Sequence, residues 1–317
     1  RADAVEPIAK AHSLQSLCFA LDDPATTSRL LEPFSAVLLA AGPFSRTSAP
    51  VLEACLRAKT AYLDITGEVD VFESAFARDA DAKEAGIAVL PGTGFDVVPS
   101  DCLAKTLSDG LPGAASLTLA FRGFKPSAGT MKTMVESIPR GGLARLDGRL
   151  VRVPAAWKTM DVPFSDKPRL AMTIPWGDLS TAFRSTGIPN IEVYMAVPPS
   201  AVSSARRMRR FAPLVGLSFV QSFLVRRIEK RVAGPTAEER ARERSFLWGR
   251  VTNGERSVTG TLETLEGYAL TAETSVAIAK RVLSGDVPPG VHTPSQAFGP
   301  RFIETIPGSN LKVGTPA

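Results

Sequence analysis

The stretch "AVLLAAGPFSRTSAP", residues 36–50, decides how this chain is read. Ala36 to Ala41 form a continuous apolar run that stops at Gly42-Pro43, and a helical pattern begins within a few residues. A run with no polar alternation fits a strand covered on both faces, as in a parallel sheet. Such a strand, ending on glycine and proline, leaves Phe44, Ser45, Arg46 and Thr47 exposed at its tip.

The same figure repeats on both sides. "LCFAL" (17–21) reads as a strand, and Asp22-Asp23-Pro24 opens a helix through Leu31, aspartate before proline being a good start. "SAPVLEACLRAK" reads as a helix, with Pro50, Val51, Ala54, Cys55 and Ala58 near helical spacing. Next come the strand "AYLDIT" (61–66), a helix over Val69 to Ala85 closed by Gly86, and the strand "IAVLPG" (87–92). Strand and helix in strict turn predict an α/β, Rossmann-like parallel sheet with helices on both faces.

After residue 114 the pattern changes. "SLTLAF" (116–121), "LAMTI" (170–174) and "IEVYMAV" (191–197) alternate at period two, and Asn253-Gly254 sits between two strand-like runs as a hairpin signal. "TAETSVAIAKRVLSG" reads as a helix with Lys280 and Arg281 in its last turn and Gly285 as its stop. The expected organisation is a Rossmann-type domain over 1–114, completed by 266–317, and an α+β domain on a mainly antiparallel sheet over 115–265.

Composition narrows the chemistry. The chain has 317 residues, 44% of them hydrophobic, enough for two domains with real cores. Cys18, Cys55 and Cys102 are far apart, which suits a reducing, cytoplasmic setting and neither a disulfide framework nor a metal cluster. With only His12 and His292, a histidine triad or multi-histidine metal site is nearly excluded, so no metal is expected. The net charge of +5 is local: eight basic residues face one acid between Ala201 and Val232, which argues against nucleic acid as a partner.

In a doubly wound sheet, ligands sit outside the carboxyl ends of the strands. Here those ends carry "AGPFS", "DITGE" and "PGTGFDVVPSD". Glycines there permit close approach of a ligand and prolines stiffen the loop, so the three together predict a nucleotide edge.

The blocks "GPFSRTSAPVLEACLRAKTAYLDITGE", "PGTGFDVVPSDCLA", "TIPWGDLSTAFRSTGIPN" and "EGYALTAETSVAIAKRVLSG" resemble the saccharopine dehydrogenase-like oxidoreductases. The branch is that of the trans-acting enoyl reductases of polyketide-lipid assembly, and the resemblance runs from about residue 17 to residue 305. It implies an NADP(H)-binding domain with Ala41, Gly42, Pro43 and Phe44 beside the ribose and nicotinamide. Thr66, Gly67 and Glu68 match the next loop, and Gly92, Gly94, Phe95 and Asp96 the loop beside the nicotinamide. Asp22 falls near the adenine position, or is a plain helix cap. The last helix, Thr271 to Ser284, is expected to pack back on the first domain. NAD and NADP are not told apart.

One part of the family pattern is missing: the opening strand, its G-x-x-G-x-x-G turn, a helix and a second strand. That turn holds pyrophosphate through free backbone N–H groups and the helix dipole. The expectation is that the chain is a fragment of a longer gene product beginning in mid-fold, that the strands at 17 and 36 do not pair directly, and that NADP binds poorly to the fragment.

In the second half, Ser127 and Thr130 fall at one helix start, with Glu136 further along, and Asp178, Ser180 and Thr181 at another. Hydroxyls and an acid there suit a substrate carboxylate, carbonyl or thioester oxygen, or else serve as ordinary caps. Trp176 is a substrate wall or a core residue. No residue stands out as an essential general acid. The segment 206–231 has arginines at both ends of an apolar centre too short to span a bilayer, which suits a lipid surface, a hydrophobic partner, or a core helix with solvated ends.

Together these predict an NAD(P)-dependent oxidoreductase acting on a carbonyl, imine or enoyl group of a lipid-linked substrate, with peripheral membrane contact. A second copy of the chain is a further candidate partner. The alternative is a non-catalytic lipid-binding or scaffolding subunit that keeps the fold.

Overall fold

A computed structural model of the chain describes residues 2–123, 131, 140–209, 220, 226–227 and 234–315. Helix α1 (Ala2–Ala11) leads into an irregular stretch, and α2 (Pro24–Leu31) follows it. The apolar run after Phe34 forms β1 (Ala36–Leu39) and hands over to α3 (Phe44–Ala58). Then come β2 (Ala61–Asp64), α4 (Val69–Phe76), α5 (Asp79–Ala85), β3 (Ala88–Leu90) and α6 (Val98–Gly110). The larger sheet begins with β4 (Ser116–Arg122), β5 (Gly142–Leu146), β6 (Arg149–Val153), β7 (Thr159–Pro163) and β8 (Pro168–Thr173). After α7 (Asp178–Thr186), β9 (Asn190–Ala196), α8 (Pro199–Met208) and α9 (Ala237–Arg242) come the long strands β10 (Arg244–Thr252) and β11 (Ser257–Leu265). The described chain ends with α10 (Gly267–Leu283), β12 (Gly290–Val291), α11 (Pro294–Phe298) and β13 (Asn310–Val313).

The first layer is a parallel sheet in the order β1-β2-β3-β12. Ala36 lies opposite Ala61, Tyr62 opposite Val89, and Gly290 opposite Ala88. Of its strands, β2 and β3 are buried on both faces, and apart from Asp64 at the end of β2 they are apolar. Tyr62 and Val89 join the core of α3 and α4 with Val51, Leu52 and Phe72, while Leu63 and Leu90 join the core that holds Leu103, Leu270 and Ile278. Helix α10 packs on β1 and β2, so the last long helix does return to the first layer.

The second layer follows the order β13-β11-β10-β4-β9-β5-β6, with β8 on β9 and β7 on β8. All its pairs are antiparallel except β4 with β9. Asn253-Gly254 makes the hairpin turn between β10 and β11: Gly254 takes φ +96° and Asn253 Oδ1 accepts from the N–H groups of Glu255 and Arg256. Gly249 and Gly260 face each other across that hairpin, and α6 descends on them with Leu103 and Leu107.

Three expectations are corrected. Residues 17–21 form no strand: Leu17 and Phe19 stay exposed, and an apolar run without a partner strand has no ladder to hold it. The helix expected over 69–85 is two helices, α4 and α5, broken at Ala77-Arg78, where the Arg78 guanidinium bonds both Glu53 and Asp81. Residues 310–313, assigned with the first domain, extend the larger sheet beside β11 instead.

Candidate functional site

The loops at the carboxyl ends of β1, β2 and β3 converge, and one buried acid organises two of them. Asp64, the last residue of β2, has no exposed surface. Its carboxylate accepts from Tyr62 Oη (2.7 Å), Thr66 N (3.0 Å) and Gly92 N (2.8 Å). Its backbone carbonyl accepts from Thr93 N and Thr93 Oγ1. Burial pushes the Asp64 carboxyl up to about 6, against those donors, which pull it down. The sequence reading missed this residue; an acid closing an otherwise apolar strand was the available signal.

Helix α10 holds the third loop from the other side. Phe95 N donates to Thr271 Oγ1 (3.0 Å), Thr274 Oγ1 donates to the Thr93 carbonyl (2.7 Å), and the hydroxyls of Thr93 and Ser275 are 3.0 Å apart. The glycines of these loops serve that packing. A Cβ on Gly67 would overlap the Asp96 carboxyl, one on Gly94 would meet Thr271, and one on Gly92 would meet Val97 and Phe72. Gly42 differs: it is exposed, and nothing lies within 3.6 Å of where its Cβ would stand.

The first loop joins through Glu68. Its carboxylate accepts from Phe44 N (3.0 Å) and Ser45 N (3.1 Å), the opening N–H groups of α3, and its own N–H donates to Thr66 Oγ1. Thr47, at the tip singled out above, caps back to the Ala41 carbonyl at 2.7 Å. The peptide between Gly42 and Pro43 is cis. The contiguous row is therefore Phe44, Glu68, Gly67, Asp96 and Trp176. Ala41, Gly42, Pro43, Phe44, Gly67, Glu68 and Asp96 keep surface open to solvent, whereas Thr66, Gly92, Gly94 and Phe95 are buried.

Asp96 stands where the parallel layer meets the second layer. Trp176 Nε1 donates to its backbone carbonyl at 3.2 Å, and the Trp176 ring lies 4.9 Å from Phe121, which meets Phe95 edge-on at 5.9 Å. Burial against this aromatic wall pushes the Asp96 carboxyl up to about 7. Gly177, next to Trp176, has no room for a side chain because Phe72 and the Gly67 carbonyl press against it.

The other residues expected at a substrate site are committed to the protein. Asp178 is fully buried and accepts from Ser100 Oγ at 2.5 Å; burial and the neighbouring acids hold its carboxyl well above the usual range. It does not cap α7, whose cap position is Gly177. Ser180 Oγ donates to Glu73 Oε1 (2.7 Å), which also pairs with the buried Arg145 (2.9 Å). Thr181 is buried within α7. Asp22 is exposed, and the cap of α2 is Asp23, whose Oδ1 accepts from Ala25 N at 3.0 Å. Ser127, Thr130 and Glu136 lie outside the described residues, as does the apolar centre of 206–231. Of the flanking arginines that are described, Arg206, Arg207, Arg226 and Arg227 are exposed, while Arg209 donates to the carbonyls of Ala155 and Ala156. Among the described residues, no helix is long and apolar enough to cross a membrane.

The donor set of this rim suits one half of a dinucleotide. Carboxylates at Glu68 and Asp96 can accept ribose hydroxyls, and Gly42 beside them is open to solvent with no charged side chain of its own. A pyrophosphate needs free N–H groups or cations. At the start of α3 the first two N–H groups are taken by Glu68, whose charge repels phosphate. The described residues thus fit the nicotinamide–ribose half and not the phosphate half.

No family model matches the chain. A trans-acting enoyl reductase from Mycobacterium ulcerans is 29% identical over 129 residues, which take in 36% of this chain and 30% of that protein. The trans-acting enoyl reductase of Mycobacterium tuberculosis is 28% identical over 129 residues, with the same shares. The chain thus spans under a third of the length of the curated relatives it matches. Among solved structures, GenD2 from gentamicin A biosynthesis, in complex with NAD, is 13% identical over 95% of this chain and 81% of that one, with a TM-score of 0.40. The WlbA dehydrogenase from Thermus thermophilus, in complex with NAD and alpha-ketoglutarate, is 14% identical over 88% and 76%, with a TM-score of 0.36. At these scores neither structure speaks to this chain's ligand or reaction.

Proposed function

We propose that this chain is the nicotinamide-side portion of an NAD(P)-dependent oxidoreductase related to the saccharopine dehydrogenase-like enzymes. In its complete form it transfers hydride to or from a carbonyl, imine or enoyl group of a lipid-linked substrate. One observation carries this: three glycine-bearing loops meet at the carboxyl edge of a parallel layer, in a chain partly homologous to enoyl reductases. The cofactor, when bound, supplies the hydride. Ala41 to Phe44 and Glu68 form the rim for ribose and ring, Asp64 and α10 hold that rim in place, and Trp176 closes it against the second layer. NADP(H) is the cofactor of choice from the family resemblance. Contact with a lipid surface through 206–231, and pairing of two copies, belong to the same proposal.

Fluorescence titration of the full-length product with NADPH and NADH tests it. Binding of NADPH in the micromolar range is expected; no binding of either at millimolar cofactor overturns it. The scaffold alternative draws on one feature, the closure of the α3 start by Glu68, and predicts that second result.

A further inference from the structure

We propose that Asp96 is the acid that delivers a proton to the substrate carbon left electron-rich by hydride transfer to an α,β-unsaturated thioester. This rests on the oxidoreductase function proposed above, with its enoyl substrate, and adds to it a proton donor.

A proton donor needs a carboxyl that substrate can reach, that has no competing partner, and that holds its proton near neutrality. The acids of this edge differ in that respect. Glu68 is held by the α3 N–H groups and Asp64 by three donors, while Asp178, with Oδ1 on Ser100, has no surface for a substrate to reach. Asp96 is mostly buried but keeps some surface, and among the described residues its carboxyl has no hydrogen-bond or ion-pair partner. It is nonetheless positioned from two sides: Gly67 leaves the space that its carboxyl fills, and Trp176 clamps its backbone carbonyl. Its titratable neighbour is Asp178, fully buried, whose ionisation is opposed by burial and by Asp96. Burial favours the protonated acid.

The β carbon takes hydride, with its electron pair, from the reduced nicotinamide, and the C=C π pair moves to the α carbon and thioester oxygen as an enolate. The Asp96 O–H bond breaks, and its proton closes the new C–H bond at the α carbon. The olefin is reduced and the nicotinamide oxidised by two electrons, and the Asp96 carboxylate regains a proton from water.

The test uses the full-length protein, NADPH and crotonyl-pantetheine as probe. In protein labelled with [4-13C]aspartate, one carboxyl resonance titrates near pH 7 and is absent from Asp96→Asn. Asp96→Asn slows single-turnover hydride transfer by about 100-fold or more and loses the decline in rate above pH 7. Asp96→Ala recovers rate on addition of formate, which decides the matter should the asparagine variant fail to fold. No carboxyl titrating between pH 6 and 8, Asp96→Asn turning over like wild type, or no rescue by formate overturns the proposal while the oxidoreductase stands. Wild type that binds NADPH but leaves the probe unreduced overturns the assigned substrate class, and failure to bind NADPH overturns the underlying function.

Discussion

The two sheets of this molecule solve the same burial problem with different residues. In the parallel layer both faces of β2 and β3 are buried, and polar side chains gather at one end, where Asp64, Thr66 and Thr93 have no exposed surface. In the larger sheet a pair of glycines lets α6 settle on one face, and polar residues such as Arg250 and Thr259 ride outward. The first layer is therefore held at its functional end by directional hydrogen bonds between loops, the second by shape. Substitutions should fail differently in the two.

The largest effect is expected at Asp64. Replacing it with alanine strands the Tyr62 hydroxyl and two backbone N–H groups in the interior, each worth about 1–3 kcal/mol. Urea unfolding should show a loss of about 4 kcal/mol, and a loss below about 1 kcal/mol would break the contrast. In the larger sheet, Gly249→Ala drives a Cβ into Leu107 at 2.7 Å. The neighbours there are side-chain ends that can shift, so the expected cost is smaller, about 1–2 kcal/mol.

Acidity sharpens the contrast further, because the raised carboxyls cluster at the loop end of the parallel layer. Asp64 and Asp96 have folded values of about 6 and about 7, above their ordinary 3.8. Between the unfolded and folded values the native state binds more protons, so stability falls as pH rises. Their contribution is fully present below about pH 4 and is lost as pH climbs through 6 and 7. Thermal midpoints measured from pH 4 to 8 should decline over that range, less steeply in Asp96→Asn. A profile unchanged by that substitution would remove Asp96 from the account.

The smallest effect belongs to the edge of the parallel layer. Leu38 is 41% exposed, since β1 pairs only with β2 among the described residues. Leu38→Thr should alter stability by no more than about 0.5 kcal/mol, whereas the same change at the buried Leu63 should cost several-fold more.

Much of the architecture was legible because strand and helix periods are local. The runs at 36, 61 and 87 became parallel strands, Gly86 and Gly285 closed helices with φ of +73° and +78°, and Asn253-Gly254 turned a hairpin. The run at 17 looks no different by composition, yet it forms no strand, because pairing depends on a neighbour that its own residues do not specify. The same limit affected the glycines. Gly67, Gly92 and Gly94 read as places for a ligand to approach, but Asp96, Phe72, Val97 and Thr271 occupy that space. Thr271 lies 177 positions beyond Gly94, and no local pattern announces such a contact.

The acids divide the same way. Asp23 as a helix cap follows from the proline beside it. That Asp64 would gather two loops, that Asp178 would bond Ser100 rather than cap its helix, and that the Asp96 carboxyl would have no partner among the described residues follow from packing between distant segments. By itself the sequence determined the two-layer α/β design and the end of the parallel layer where loops collect, since hydrophobic period and turn chemistry act over a few residues. Only the tertiary structure decided which glycines and acids at that end are filled, tied or open, because desolvation and hydrogen-bond competition are set by residues far apart in the chain.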